Sequence, residues 1–269
     1  MSRFGGALRS EVTKITSTRM WWILAIIMIA YVAVCAAGAA GLFGALGEST
    51  NGPSIPGDRL APLIYSFGPT LGYVFAVLLG ALATTNEFRH QTLTPTFLAT
   101  PRRGRVLVAK LVALTGAGAL YGVLAMVAAV GAGGGLLLAF GVDPQFGDPA
   151  TWALVGRSIL AMALWSAIGV GLGVLVPSQV AAIVIVLAFT QFVEPLLRLA
   201  SSFAEWTAQI GQFLPGAASD ALVGASFFSL AGGAGGPSLE WWQGGLVLLG
   251  ITVLVSVLGW FTSWRRDVT

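Results

Sequence analysis

The stretch MWWILAIIMIAYVAVCAAGAAGLFGAL, residues 20–46, decides the fold class of this chain, because it carries no charged residue. A helix that crosses roughly 30 Å of hydrocarbon needs about 20 mostly apolar residues, and this stretch is long enough. Comparable apolar stretches recur near residues 64–85, 106–140, 152–176, 178–197 and 241–263. The sequence therefore predicts an all-α, polytopic membrane protein with six transmembrane helices in a single domain that covers residues 1–269.

The overall composition points to the same class. Hydrophobic residues make up 56% of the chain and charged residues only 9%, which is too few charges to keep a soluble domain dispersed. The net charge of +3 is concentrated on one face of the predicted bundle and indicates a lipid bilayer as partner, with no nucleic acid. The single cysteine, Cys35, can form no internal disulfide.

The positions of the Lys and Arg residues predict the orientation of the spans. If the N-terminus is cytoplasmic, six spans return the C-terminus to the cytoplasm, and loops on that side should carry the excess of positive charge. Only Arg59, Arg157 and Arg198 then fall outside or near the outer face. The cations on the inside are Arg3, Arg9, Lys14, Arg19, Arg89, Arg102, Arg103, Arg105, Lys110, Arg265 and Arg266.

Two segments outside the spans carry their own patterns. Residues 1–19 place apolar side chains on one helical stripe, which predicts an amphipathic helix in the headgroup plane, although a generic basic anchor would look similar. Residues 198–240 are too apolar for a free loop, and Pro215 and a glycine run interrupt them too often for a span. We expect short re-entrant helices at the outer mouth there, and a simple extracellular hairpin is the alternative.

The longest inside loop, residues 86–105, lies between the second and third predicted spans. It begins with NEFRHQTLTPTFLATPRRGR and has room for one surface helix that another protein could grip. Its cluster Arg102, Arg103 and Arg105 predicts contact with anionic headgroups, each worth on the order of 1 kcal/mol. On charge alone, however, membrane topology would select the same residues.

The fifth predicted span contains an acidic residue. An unpaired charge at the membrane centre costs roughly 2.5–3.5 kcal/mol, so Glu194 should face protein, water or a cation. Arg198 follows four residues later, in the order that favours pairing, and we predict an intramembrane charge pair. A role in an exit path is the alternative. Arg157 is expected to reach outward to the interface or to meet Glu194.

Residue types that would support catalysis are scarce. His90 is the only histidine, so a histidine metal centre and Ser-His-Asp catalysis lack their parts. A phosphate-binding loop needs Lys followed by Ser or Thr, but Ile15 follows Lys14 and Leu111 follows Lys110. We therefore expect no enzyme activity, no metal and no cofactor bound by this chain.

Four motifs occur in an order that resembles the permease subunits of type 2 ABC transporters, mostly bacterial exporters. They are EVTKITSTRMWW (11–22), NEFRHQTLTPTFLATPRRGRVLVAK (86–110), WSAIGVGLGVLVPSQVAA (165–182) and FLPGAASDALVG (213–224). The resemblance covers nearly the whole chain. Each motif is loose by itself, and the ordered set together with six spans is the specific feature.

The resemblance implies a permease in a bacterial inner (plasma) membrane, paired with a second permease subunit, identical or paralogous, and docked on separate ATPase subunits. ATP and Mg would bind the ATPase partner, and alternating access would export an apolar or amphipathic substrate. The loop after span two resembles the coupling helix, and residues 1–19 resemble the connecting helix beside it. The residues that this implies for ATPase coupling are Glu87, Phe88, Arg89, His90, Gln91, Thr92, Glu11 and Lys14.

Two other function classes stay open. A stand-alone channel or secondary carrier would require several pore-facing ionisable residues or an internal repeat, and the sequence displays neither. A membrane enzyme or assembly factor is opposed by the scarcity of catalytic groups. The cargo is not indicated by any motif.

Overall fold

The computed structural model describes residues 3–47, 57–99, 102–201, 205–225 and 239–264, and every regular element in these ranges is helical. The first half contains α1 (Arg3–Ser17), α2 (Met20–Gly47), α3 (Gly57–Tyr65), α4 (Phe67–Arg89), α5 (Leu93–Ala99), α6 (Arg103–Ala129) and α7 (Gly135–Ala139). The second half contains α8 (Pro149–Leu175), α9 (Gln179–Ala188), α10 (Glu194–Ser201), α11 (Glu205–Gly211), α12 (Pro215–Val223) and α13 (Trp241–Gly259).

Single π-helical turns join or extend several of these helices. Val130–Gly134 connects α6 to α7, Phe189–Val193 connects α9 to α10, and Trp260–Trp264 extends α13. Each junction therefore lengthens a helix without ending it, because π turns are usually insertions within an α-helix.

Six continuous helical stretches are long and apolar enough to cross a membrane, as the sequence predicted. They are Met20–Ala45, Arg59–Arg89, Arg103–Ala139, Pro149–Leu175, Gln179–Ser201 and Trp241–Trp264. The all-α prediction and the six spans are confirmed, and the chain fits a multi-pass membrane protein.

The second span is longer at both ends than the predicted 64–85. It starts in α3, which contains Pro62, and passes through Ser66, whose backbone N–H donates to Pro62 O at 3.0 Å. It then continues to Arg89, so residues 86–89, which were predicted as loop, form the last helical turn. Polar side chains end an apolar stretch, but they do not interrupt backbone hydrogen bonding.

Helix α8 forms the core of the bundle. In its most apolar window 72% of the residues are buried, against 22% for Gln179–Ser201 and 28% for Met20–Ala45. Its closest crossing is with α4, where a Cβ on Gly169 would overlap the Val77 carbonyl and a Cβ on Gly80 would overlap the Ser166 carbonyl. The small residues of the fourth span therefore serve helix packing here.

Side-chain contacts show which helix ends lie together. Arg89 at the end of α4 donates to Gln179 at the start of α9, and Arg103 at the start of α6 contacts Trp264. These residues define the α1 end of the bundle, since α1 packs against α6 there. At the opposite end, the α12 end, Tyr65 donates to Pro144 O at 2.7 Å.

The segment predicted to contain re-entrant helices is partly described. Helix α12 packs against α8 and α13 and buries Ala218, Ser219 and Leu222, while α11 packs against α10. Residues 202–204 and 226–238 of this prediction lie outside the described residues, as do Arg265 and Arg266. The helical content of residues 205–223 fits the prediction of short helices, and their depth in a membrane stays a prediction.

Candidate functional site

Four charged side chains from three helices meet at the α1 end. Lys110 on α6 places Nζ 2.6 Å from Glu11 Oε2 and 2.9 Å from Glu87 Oε1. Lys14 on α1 places Nζ 2.6 Å from Glu11 Oε1 and 2.8 Å from Glu87 Oε1. These four residues, which we name the ion cluster, pair two carboxylates with two ammonium groups, so their formal charges cancel.

Most of the ion cluster is removed from solvent. Glu11 is 3% exposed, Glu87 6% and Lys110 2%. Burial raises the pKa of Glu11, but Lys110 and Lys14 together lower it by more, so the net shift is downward. Burial lowers the pKa of Lys14, and Glu87 and Glu11 raise it by more, so the net shift is upward. Both groups are therefore charged at neutral pH, and the cluster fastens α1 to α4 and α6.

A cavity of about 350 Å³ lies beside the ion cluster, lined also by His90 and Trp21. Glu87 Oε2 and Trp21 Nε1 are buried and have no hydrogen-bond partner within the described ranges. One acceptor and one donor therefore stay unsatisfied close to the junction between α1 and α2, where a water molecule could satisfy them.

Helix α4 ends in a motif that turns the chain sharply. The Thr92 N–H donates to Glu87 O at 3.1 Å and the Gln91 N–H donates to Phe88 O at 3.3 Å, which is the Schellman pattern. Gln91 adopts φ of 54°, in the left-handed region that usually favours glycine. The turn places α5 directly after α4, so the two helices share an end of the bundle.

Three aromatic rings and one cation hold α5 against the bundle. Trp264 meets Phe97 edge to face at 5.5 Å between ring centroids and meets Phe88 at 6.0 Å. The Arg103 guanidinium lies 5.0 Å from the centre of the Phe97 ring, and Trp264 Nε1 donates to Arg103 O at 3.1 Å. Leu93 of α5 is fully buried. Helix α5 is thus fixed to α4, α6 and the end of α13.

One face of the same segment stays open. Leu98 is 80% exposed, the highest value among the exposed large apolar side chains of the described residues. Arg89, His90, Gln91 and Thr92 are exposed beside α5. Arg89 also donates to Gln179 Oε1 at 2.9 Å. An apolar tip next to a basic and polar turn forms a surface, which we name the α5 surface, that suits a protein partner.

The residues predicted for ATPase coupling therefore separate into two groups. Arg89, His90, Gln91 and Thr92 belong to the α5 surface, whereas Glu11 and Glu87 face inward in the ion cluster and Phe88 packs on Trp264. A direct contact with another protein falls to the exposed group. Glu11 and Glu87 are buried and hold α1, α4 and α6 together, and Lys14 pairs with both of them while keeping 32% of its side chain exposed.

The arginines predicted at the lipid surface also differ from one another. Arg102 is exposed, and Arg103 and Arg105 are partly buried. Arg103 lies over Phe97 and donates to Trp264 O at 3.5 Å, so its role in this structure is to hold α5. Its guanidinium is attracted to the negative face of an aromatic ring within about 6 Å.

The charge pair predicted in the fifth span is present at the α12 end, but its third member is different. Arg198 Nη2 lies 3.0 Å from Glu194 Oε1, and Arg198 Nη1 lies 2.6 Å from Asp220 Oδ2. Arg157 does not join this group. Its guanidinium lies 4.8 Å from the centre of the Trp241 ring, since an aromatic face can accept a cation near the interface.

Sequence reasoning missed Lys110, Trp264 and Asp220 as members of these sites. Lys110 looked like one more cytoplasmic cation. The available signal for Lys110 was its position inside the predicted third span, because a lysine buried there requires a carboxylate partner. The position of Asp220 one helical turn after Gly216 carried no comparable signal.

No protein-family model matches the sequence, and no curated protein matches it. Within the described residues, no group of three or more His, Cys, Asp or Glu side chains could hold a metal ion. The geometry of the ion cluster, of the α5 surface and of the Arg198 group therefore carries the functional argument.

Proposed function

We propose that this chain is the membrane-spanning permease subunit of a bacterial ABC transporter, exporting an apolar or amphipathic substrate by alternating access. ATP hydrolysis would take place on a separate ATPase chain, which would hold ATP and Mg, and the permease itself would catalyse no reaction. The observation that carries the proposal is the α5 surface, on a helix between two spans whose Phe97 packs on Trp264 and Arg103. The preceding helix, α4, is joined to α1 and α6 through the ion pairs of Glu87.

The distribution of charge supports a cytoplasmic α1 end in the inner membrane. Among the described cations, Arg9, Lys14, Arg19, Arg89 and the arginines at the start of α6 belong to this end, and the positive-inside rule assigns such an end to the cytoplasm. Both the N-terminal helix and Trp264 belong to it, which agrees with cytoplasmic termini. Helix α1 would then lie at the headgroups beside α5.

The contacts around α5 supply a route for mechanical coupling. A partner that pushes on Leu98 displaces Phe97, which packs on Trp264 at the end of the sixth span. The same push reaches α4 through the Schellman turn and reaches α1 and α6 through Glu87 and Lys110. Movement of one surface helix is therefore transmitted to the second, third and sixth spans together.

A second permease subunit would cover apolar faces that the single chain leaves open. In the first and fifth spans only 28% and 22% of the most apolar windows are buried, and Ile26, Val34 and Val184 are more than half exposed. Lipid can cover such faces as well. A dimer would use part of them to enclose a path, as the family resemblance implies.

The proposal is tested by purifying the tagged chain from its native membranes in mild detergent and assaying the eluate for ATPase activity and for a co-purifying ATPase. The informative variant is Leu98→Ala, since its side chain is exposed and its loss leaves the ion cluster intact. Leu138→Ala is the matched control, because Leu138 is also exposed, at 56%, but lies in α7. We expect Leu98→Ala to reduce recovery of the ATPase by tenfold or more and Leu138→Ala to leave it unchanged, since an apolar anchor at an interface contributes on the order of 2 kcal/mol.

The competing function is a stand-alone channel or secondary carrier. The observation in its favour is the group of buried Glu194 with partly buried Arg198 and Asp220, because ionisable residues inside a membrane protein often mark an ion or substrate path. Purification of the wild-type chain without any nucleotide-hydrolysing partner would move this function to first place.

A further inference from the structure

A second cavity, of about 380 Å³, lies at the α12 end between α2, α4, the fifth span and α12. Its apolar wall includes Tyr31, Tyr73 and Phe75, and the Tyr31 and Phe75 ring centroids are 6.4 Å apart. Its polar wall includes Glu194, Arg198 and Asp220. A volume of this size suits a small organic ligand, for which pockets of about 300–1,000 Å³ are usual.

Glu194 is incompletely satisfied in this wall. The residue is 2% exposed, and its Oε1 accepts from Arg198 Nε at 3.2 Å and from Nη2 at 3.0 Å. Its other oxygen, Oε2, is buried and has no hydrogen-bond partner in the described part of the chain. A buried carboxylate oxygen without a partner is costly, and such groups in native proteins call for an explanation.

The charges around the cavity do not cancel. Two carboxylates, Glu194 and Asp220, both pair with Arg198, and the formal charges of these three residues sum to −1. Arg157, on α8, lies over the Trp241 ring. An excess negative charge in an apolar surrounding attracts one compensating positive charge.

The backbone of α12 is shaped around this group. A Cβ on Gly216 would overlap both Glu194 Oε1 and Arg198 Nη2, so a larger residue there would require the ends of these two side chains to shift. Trp165 Nε1 donates to Ser219 at 3.0 Å, and the Trp165 and Tyr73 ring centroids are 4.6 Å apart. The carboxylates and the aromatic wall are therefore held in fixed positions relative to each other.

We propose that this cavity binds a monovalent organic cation with an apolar body, such as an alkyl or aryl ammonium compound. The ammonium group would lie between Glu194 and the faces of Tyr31 and Tyr73, and the apolar part would lie against Phe75. Carboxylates together with aromatic rings recognise ammonium groups through charge attraction and cation–π contact. As the substrate class of a transporter, this assignment rests on the proposed permease function, but as a binding site it does not.

The test measures binding to the purified chain in phosphatidylcholine nanodiscs by titration calorimetry. The probe is benzyltrimethylammonium, and its uncharged isostere neopentylbenzene reports the apolar contribution alone. We expect saturable binding of the cation by the wild type and binding weaker by about tenfold or more in Glu194→Gln, since that variant removes the charge but keeps an acceptor for Arg198. Glu240→Gln, which removes an exposed charge from the start of α13, should bind like the wild type.

Glu194→Asp keeps the charge and serves as the second variant, and it should retain preference for the cation over the isostere. Equal binding of both probes by the wild type would overturn the proposal, as would equal cation affinity in the wild type and Glu194→Gln. Absence of saturable cation binding, with Glu194→Gln as heat-stable as the wild type, would indicate a protonated carboxyl and would also overturn it. Cation binding without a co-purifying ATPase would retain this site and reject the ABC permease function. A co-purifying ATPase without cation binding would reject this site and retain the ABC permease function.

Discussion

Replacing Lys110 by methionine tests whether the ion cluster holds α1 in place. Methionine keeps the length and the apolar stem of the side chain but removes the ammonium group that lies 2.6 Å from Glu11 and 2.9 Å from Glu87. Lys14 then remains as the single cation of the cluster for two carboxylates. The variant therefore leaves one buried negative charge without compensation.

The size of the effect follows from that unpaired charge. Removing one partner of a buried ion pair typically costs about 3–5 kcal/mol, and Lys110 at 2% exposure is well within the buried class. If α1 opens locally, without global unfolding, amide hydrogen exchange in α1 accelerates by the corresponding factor, roughly 100- to 4,000-fold. The upper limit is the exchange rate of an unprotected amide. The assay is hydrogen–deuterium exchange read by mass spectrometry on peptides covering residues 3–17.

Arg9→Met is the matched control, because Arg9 is an exposed cation on the same helix and its loss should change stability by less than about 0.5 kcal/mol. The double variant Glu11→Gln/Lys110→Met leaves the neutral pair Lys14 and Glu87, so its exchange should be slower than that of Lys110→Met alone. Equal exchange of α1 in Lys110→Met, Arg9→Met and the wild type would refute the reasoning.

Three further predictions use other contacts. The ion cluster should persist across neutral pH. The contribution of Glu11 to stability is present above its unfolded pKa near 4.5 and is lost as pH falls through its lowered folded pKa. The contribution of Lys14 to stability is present below its unfolded pKa of 10.5 and is lost as pH rises through its raised folded pKa. The thermal unfolding midpoint should therefore decline only at acid and at strongly alkaline pH, and Glu11→Gln should lose the decline at acid pH. Gly169→Ala should lower the free energy of unfolding by about 1–3 kcal/mol or more, because the new Cβ meets the Val77 carbonyl. Gly156→Ala is the control and should not lower it, because a Cβ there meets open space. Urea unfolding of both variants measures the difference. Gln91→Gly should raise the unfolding midpoint by relieving about 1 kcal/mol of left-handed strain, and a Gln91→Val protein no less stable than the wild type would contradict this.

The six spans could be predicted from sequence because the bilayer imposes a length and an apolar character that short windows reveal. The predicted pair of Glu194 and Arg198 was likewise local, since residues four apart on a helix are neighbours. The ends of the helices were harder to predict from the sequence. The last turn of α4 contains Asn86 and Arg89, whose polarity marks the edge of the apolar stretch but whose backbone bonds remain helical.

The ion cluster could not be predicted because its members are far apart in the sequence. Glu11 and Lys110 lie 99 residues apart and meet only when α1 folds back onto α6. Only its position inside the predicted third span separates Lys110 from Arg103 and Arg105 in the sequence, and it is burial at 2% exposure that makes Lys110 the centre of the cluster. Trp264 similarly gains its role from Phe88 and Phe97, which reach it from two other helices.

Helix α4 reaches both the ion cluster and the cavity beside Arg198, and the spacing of its residues bears on how these two sites could communicate. Tyr73 lines the cavity at the α12 end, Gly80 makes the close contact with α8, and Glu87 belongs to the ion cluster. Seven residues separate each neighbouring pair, so each arm is about 10 Å long and all three residues lie near one helical face. The close packing at Gly80 opposes sliding, so a tilt about this contact is the movement that we expect if α4 is displaced. Such a tilt moves Tyr73 and Glu87 by similar distances in opposite directions, so a displacement of the α5 surface would change the cavity wall by a comparable amount.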